Sequence, residues 1–228
     1  MRLLILLILT AGLAACTTIT PTMQSGPAAE VTFDGLHRVD GTRMDSAWIL
    51  PDIDLSQYDA LMFESVGVSY QPVRQYRRYD TGADKFPLDE RQRARLEKTI
   101  QEVMIEEFGQ FQNYRVTDVA GPGVLKVTLG ITDVISRIPP ERTGARTSFY
   151  LRDLGQAVLI VEVRDSVTNQ ALARIVDREK VESVHLQESN PVTNLSEVRR
   201  SVHKWGKSIR EGLDNLHQIG CHFCTDPG

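Results

Sequence analysis

The chain has 228 residues, with 26 Lys and Arg against 30 Asp and Glu, a formal charge of −4 and 7% aromatic residues. This mild acidic balance argues against a nucleic-acid binder, which presents a concentrated basic surface. The length suits one globular domain with a substantial core, and no internal repeat divides it.

MRLLILLILTAGLAAC opens the chain: Arg2, an apolar run from Leu3 to Leu9, then small residues before Cys16. Roughly a dozen apolar residues fall short of the about 20 that carry a helix across a bilayer, so residues 1–15 read as a secretory signal. Leu13, Ala14, Ala15 and Cys16 resemble a bacterial lipobox, in which a signal peptidase cuts ahead of a cysteine whose thiol carries diacylglycerol. Buried acyl chains, at about 0.8 kcal/mol per methylene, anchor a protein without a transmembrane helix. Thr17 stands where an aspartate resembles an inner-membrane retention signal, so the expected location is the outer membrane, facing the periplasm. Residues 16–32 then read as the lipidated N-terminus and a flexible tether, rich in Thr, Pro, Ala and Gly.

One α+β domain is expected over residues 33–217. DALMFESVGVS (59–69) has the apolar run of a strand. In DERQRARLEKTIQEVMIEEFG the residues Leu96, Ile100, Val103, Met104 and Phe108 share one helical face, with Asp89 as N-cap and Gly109 at the stop. A short strand near YRVTDV turns through GPG (121–123) into a run that alternates Leu125, Val127, Leu129 and Ile131 with polar residues, as a strand with one buried face does. QAVLIVEVRD (156–165) and ALARIVDREKVESV (171–184) are two further strands, joined as a hairpin by SVTN. Val198, Val202, Trp205, Ile209, Leu213 and Leu216 then recur at helical steps. The order β-α-β-β-β-β-α predicts a mixed, mostly antiparallel sheet of about five strands with two main helices on one face, the first strand and helix forming a right-handed parallel crossover.

The stretches WILPDIDLSQYDALMFESVGV (48–68), GPGVLKVTLGITDVI (121–135), VEVRDSVTNQALARIVDR (161–178) and VHKWGKSIREGLDNL (202–216) resemble the bacterial lipoprotein family labelled domain of unknown function 3313. The resemblance covers residues 33 to 217 and agrees with a lipobox at Cys16, but it implies no activity, cofactor or catalytic residue. Arg164, Asp165, Asp177 and Arg178, inside its third stretch, flank a hairpin where charge pairs and Asp turn bonds set register.

No nucleophile elbow, Gly-rich phosphate loop or His-Glu-x-x-His helix occurs. The histidines at 37, 185, 203, 217 and 222 are scattered. No catalytic residue, cofactor or metal is assigned. Two loops carry the candidate binding residues: residues 70–87 hold Tyr70, Arg74, Tyr76, Arg77, Arg78 and Tyr79, and residues 136–153 hold Arg142, Arg146, Phe149 and Tyr150. Tyr and Arg are the residues of interface hot spots, and Arg suits anionic glycans, lipid headgroups or carboxylates. The same loops also read as solvated connections whose aromatics cover the core edge. In this topology they are expected to leave opposite ends of the sheet.

The tail, residues 218–228, contains Cys221, His222 and Cys224. Thioredoxin-like chemistry places its first thiol at a helix N-terminus, whereas Cys221 follows a C-terminus. Haem attachment needs a histidine where Thr225 stands. With Cys16 taken by lipid, a local Cys221–Cys224 disulfide is the expectation; a metal held with His217 and His222 is the alternative. The leading functional reading is a non-catalytic envelope lipoprotein that binds a protein, a glycan or an anionic lipid. A periplasmic enzyme is the second reading, which a deep pocket with convergent polar groups would favour.

Overall fold

The structure, a computed structural model, describes residues 20–73, 84–139, 148–221 and 223. Its strands are β1 (Thr22–Met23), β2 (His37–Asp40), β3 (Ser46–Ile49), β4 (Ala60–Tyr70), β5 (Arg115–Val116), β6 (Val124–Ser136), β7 (Tyr150–Asp165) and β8 (Ala171–Glu188). They form one sheet in the order β1-β2-β3-β8-β7-β6-β4-β5. The helices are α1 (Glu90–Phe108) and α2 (Pro191–Ile219). Asp89 caps α1 in a reciprocal box with Gln92, and Asn190 caps α2 in one with Thr193, with Pro191 at the first helical position.

The α+β class, the mixed sheet and the two helices match the expectation, but among the described residues the sheet has eight strands rather than about five. The additional ones are β1, β2 and β3, at two to four residues each, too short to display a period. Sheet pairing therefore begins at Thr22, inside the segment expected to be a tether. β4 and β6 are parallel neighbours, while β6, β7 and β8 are antiparallel in turn. β3 pairs with β8 only as far as Val176, so β8 continues through Asp177–Glu188 with no strand beside it there on that flank among the described residues.

One sheet face carries the core. Leu125, Val127, Leu129 and Ile131 of β6 and Leu159, Val161 and Val163 of β7 are buried in one cluster with Ile100, Val103 and Phe108 of α1 and Val202, Trp205 and Ile209 of α2. Each such side chain contributes about 1.5–3 kcal/mol through lost apolar surface. Phe63 of β4 stacks on Phe108, ring centroids 4.3 Å apart, and Trp205 Nε1 donates to Asp177 on β8 at 2.8 Å. That last bond gives Asp177 a role between layers, whereas Asp165 fixes the β7–β8 turn by accepting from the backbone of Val167 and Thr168.

The C-terminal half of α1 is locked to the middle and C-terminal part of α2. Glu107 is buried between them; His203 Nδ1 lies 3.0 Å from its Oε1, and Arg210 Nε donates to its Oε2 at 3.4 Å. Asp214 accepts from the backbone N–H groups of Gln112 and Asn113, tying the turn after α1 to α2. Gly206 faces Glu107 so closely that a Cβ there would stand 2.9 Å from Glu107 Cγ.

The opposite sheet face is wetter and is organised by ion pairs. Arg174 donates to Asp34 and Glu162, both at 2.6 Å, and Arg164 donates to Glu162 at 2.6 Å. Burial pushes both carboxyls up, but the hydrogen bonds from these guanidinium groups outweigh it and hold Asp34 and Glu162 below their ordinary values. A carboxyl lowered in the folded state contributes stability above its unfolded pKa and loses it as pH falls through the folded one.

Arg174→Met is therefore expected to cost about 2 kcal/mol near pH 7, with the difference from the unaltered protein shrinking below about pH 3; urea unfolding across that range measures it. Gly155, at φ +150°, pairs with Ser136 of β6 and borders an irregularity in the β7–β8 ladder, and a Cβ there would run into the Ile135 carbonyl oxygen. Gly155→Ala is expected to lower stability by about 3 kcal/mol in the same assay.

Candidate binding cleft at the helix N-termini

The loops after β4 and β6 leave the same end of the sheet, because these two strands are parallel neighbours. This corrects the expectation of opposite ends. The stems are joined: Phe86 N–H donates to Ser136 C=O at 2.8 Å, and Arg137 pairs with Asp84 at 3.3 Å and Asp153 at 3.0 Å. β8 runs parallel to β6, so α2 begins at this end too, as α1 does.

The ion pairs between the helices begin at Arg199 with Glu102 and Glu106. Towards the N-termini the helices part and leave a cavity of about 470 Å³ above the sheet, within the size range of small-molecule sites. Leu96 and Ile100 of α1 form one wall and Leu195 and Val198 of α2 the other. Ile131, Ile135 and Leu154 supply the sheet side, and Trp205 also lines the cavity.

Three charged residues line it: Arg95, Glu179 and Glu188. Glu179 is paired with Lys204 at 2.8 Å, and Glu188 accepts from Ser148 Oγ at 2.6 Å. Arg95 is exposed and makes no ion pair among the described residues. Among the described residues that line the cleft no acid and base are paired for catalysis. The carboxyls with displaced pKa values, Asp34, Asp54, Glu64, Glu162 and Asp165, all lie elsewhere. Among the described residues no three His, Cys, Asp or Glu side chains cluster as metal ligands would.

The residues expected from sequence fare differently. Phe149 lines the cleft, and Tyr150, 59% exposed, begins β7 outside its lining. Tyr70 borders a second cavity of about 430 Å³ between the end of β4 and the start of α1, but it is used internally. Its hydroxyl donates to Glu97 at 2.8 Å, and the Arg93 guanidinium lies 4.6 Å from its ring centre. Burial, reinforced by Glu97, raises the phenol pKa above its ordinary value. Arg74, Tyr76, Arg77, Arg78, Tyr79, Arg142 and Arg146 lie outside the described residues, as do Cys16, His222 and Cys224. Cys221 is disulfide-bonded, and Phe223 packs against the core.

Sequence reasoning missed Arg95 and the gap itself. Its available signal was that the apolar stripes of both helices extend to Leu96 and Leu195, beyond the charged residues that hold the pair together.

Several solved structures show a distant likeness. Protein XCC0632 from Xanthomonas campestris is 8% identical over 74% of this chain and 89% of its own, with a TM-score of 0.42. A putative neuraminyllactose-binding hemagglutinin homolog from Helicobacter pylori is 11% identical over the same shares, with a TM-score of 0.41. The PelC dodecamer from Paraburkholderia phytofirmans is 10% identical over 83% of this chain and 97% of its own, with a TM-score of 0.31. No curated protein matches the chain. Residues 24–209 match the family described as protein of unknown function DUF3313, and the chain belongs to that family.

Proposed function

We propose that this protein is a lipid-anchored cell-envelope protein whose domain binds an apolar ligand in the cleft between α1 and α2 and performs no chemistry on it. The observation that carries this reading is the composition of the cleft among the described residues: aliphatic walls, no acid and base pair, and charged groups confined to Arg95, Glu179 and Glu188. An enzyme site needs titratable groups converging on a reacting atom. Among the described residues the cleft has the volume of a small-molecule site without such converging groups.

The anchor rests on the N-terminal pattern ending at Cys16, and Thr17 favours the outer membrane. Among the described residues no helix is long and apolar enough to cross a membrane, so acyl chains would supply the attachment. An envelope protein, a glycan with an apolar substituent or an anionic lipid each offers a group that could enter the cleft; a nucleic acid does not. An oxidising compartment also fits the disulfide at Cys221, with Cys224 as the proposed partner.

Metabolic labelling with an alkyne fatty acid is expected to mark the unaltered protein and not Cys16→Ser; equal label on both would overturn the anchor. Non-reducing mass spectrometry of the unfolded protein is expected to find Cys221 and Cys224 joined, and two alkylated thiols would refute that pairing.

A further inference from the structure

We infer that the cleft holds one straight acyl chain of an anionic amphiphile, its hydrocarbon between α1 and α2 and its charged head beside Arg95. This rests on the reading of the cleft as a binding site and specifies its ligand.

Hydrogen-bond bookkeeping selects hydrocarbon. Among the lining residues Gln92 and Asn190 are committed to helix caps, Ser136 Oγ accepts from Ile138 N–H, and Asn194 bonds Ser189. Trp205 is held by Asp177 and Glu179 by Lys204. Of the polar lining side chains, Arg95, Gln156 and Ser201 alone show no hydrogen bond or ion pair among the described residues. A sugar or a peptide backbone would bury many polar groups against too few partners, at a cost for each one left unmatched. A methylene chain asks for none.

Volume selects one chain. At about 30 Å³ per methylene-sized group, close to the share of one water in the liquid, the cavity of about 470 Å³ holds about fifteen such groups. That accommodates a single long acyl chain and not two.

Charge selects the head. Arg95 is the one cation lining the cleft among the described residues, and none of them pairs with it. Of the two lining carboxylates, Glu179 is neutralised by Lys204, while Glu188 sits at the end of β8, across from α1. An anionic head is therefore favoured on the α1 side. A carboxylate and a phosphate monoester satisfy this site alike, so a free fatty acid and a lysophospholipid are two sources of the same chemistry.

The test is calorimetric titration of the full chain carrying Cys16→Ser with octanoate, decanoate, laurate, myristate and palmitate below their micelle-forming concentrations. Kd is expected to fall about fourfold for each added methylene and to level once the cleft is full; a Kd independent of chain length would overturn the proposal. Arg95→Gln is expected to weaken laurate about fivefold and to leave dodecanol within about twofold. Equal binding of laurate and dodecyltrimethylammonium by the unaltered cleft would overturn the placement of the head. Val198→Trp, which fills the cleft, is expected to abolish binding. Unchanged binding by a folded Val198→Trp, judged by circular dichroism, would overturn the site, and the chain-length series decides if that variant does not fold. Lauroyl lysophosphatidate binding more tightly than laurate would assign a phospholipid source, and the reverse order a free fatty acid. Failure of the series with fatty-acid label retained at Cys16 would sink the ligand and leave the anchor standing.

Discussion

The parallel pairing of β4 with β6 constrains everything above the sheet. A chain can place two strands parallel and adjacent only by returning over one face, and here α1 makes that return with 19 residues, about 28 Å of helix. β7 then descends and β8 ascends beside it, so α2 starts from the same end as α1. Two helices on one face thus run in the same direction with their dipoles aligned, an arrangement that repels slightly along its length. Opposite charges offset this where the helices touch: Arg199 against Glu102 and Glu106, and Arg210 against Glu107. Held together at one end, the pair opens at the other.

The same arrangement explains which parts of the molecule could be read from sequence. The alternation of Leu125 to Ile131 and the cap at Asp89 are local patterns, and each has its expected place in the fold. Gly109 ends α1 as anticipated, though with φ −66°, so position rather than a left-handed backbone accounts for it. β2 and β3 were illegible because a strand of four residues shows at most two buried side chains, here Val39 with the half-buried His37 and Ile49 with the half-buried Ala47. The Arg174 cluster joins residues 140 positions apart, and no local spacing encodes such a contact.

The cleft was hidden for a different reason. An apolar stripe tells which face of a helix avoids water, but not whether a neighbour fills the space before it. Leu96 and Leu195 carry the same pattern as Val103 and Ile209, and only the latter pair is fully covered. At Tyr70 the composition of the loop serves the chain itself. Tyrosine and arginine form interface hot spots through stacking and hydrogen bonds, and Arg93 and Glu97 use that chemistry on Tyr70 within the chain itself.

Past Val176 no strand lies beside β8 on that flank among the described residues, and an edge of this kind is a surface on which a foreign strand can add itself. Side chains already occupy part of it: Asp45 accepts from Arg178 N–H, and Arg200 and Thr193 donate to the carbonyls of Glu182 and Glu188. Arg178, Lys180, Glu182 and Glu188 stand along it, each exposed. On the other side of the sheet β4 outruns β5, and its pairing with β6 is broken by irregularities after Glu64 and after Val68. An approaching strand would meet mixed charge on one flank and a bent ladder on the other. Growth of the sheet from molecule to molecule along these two flanks is thereby discouraged.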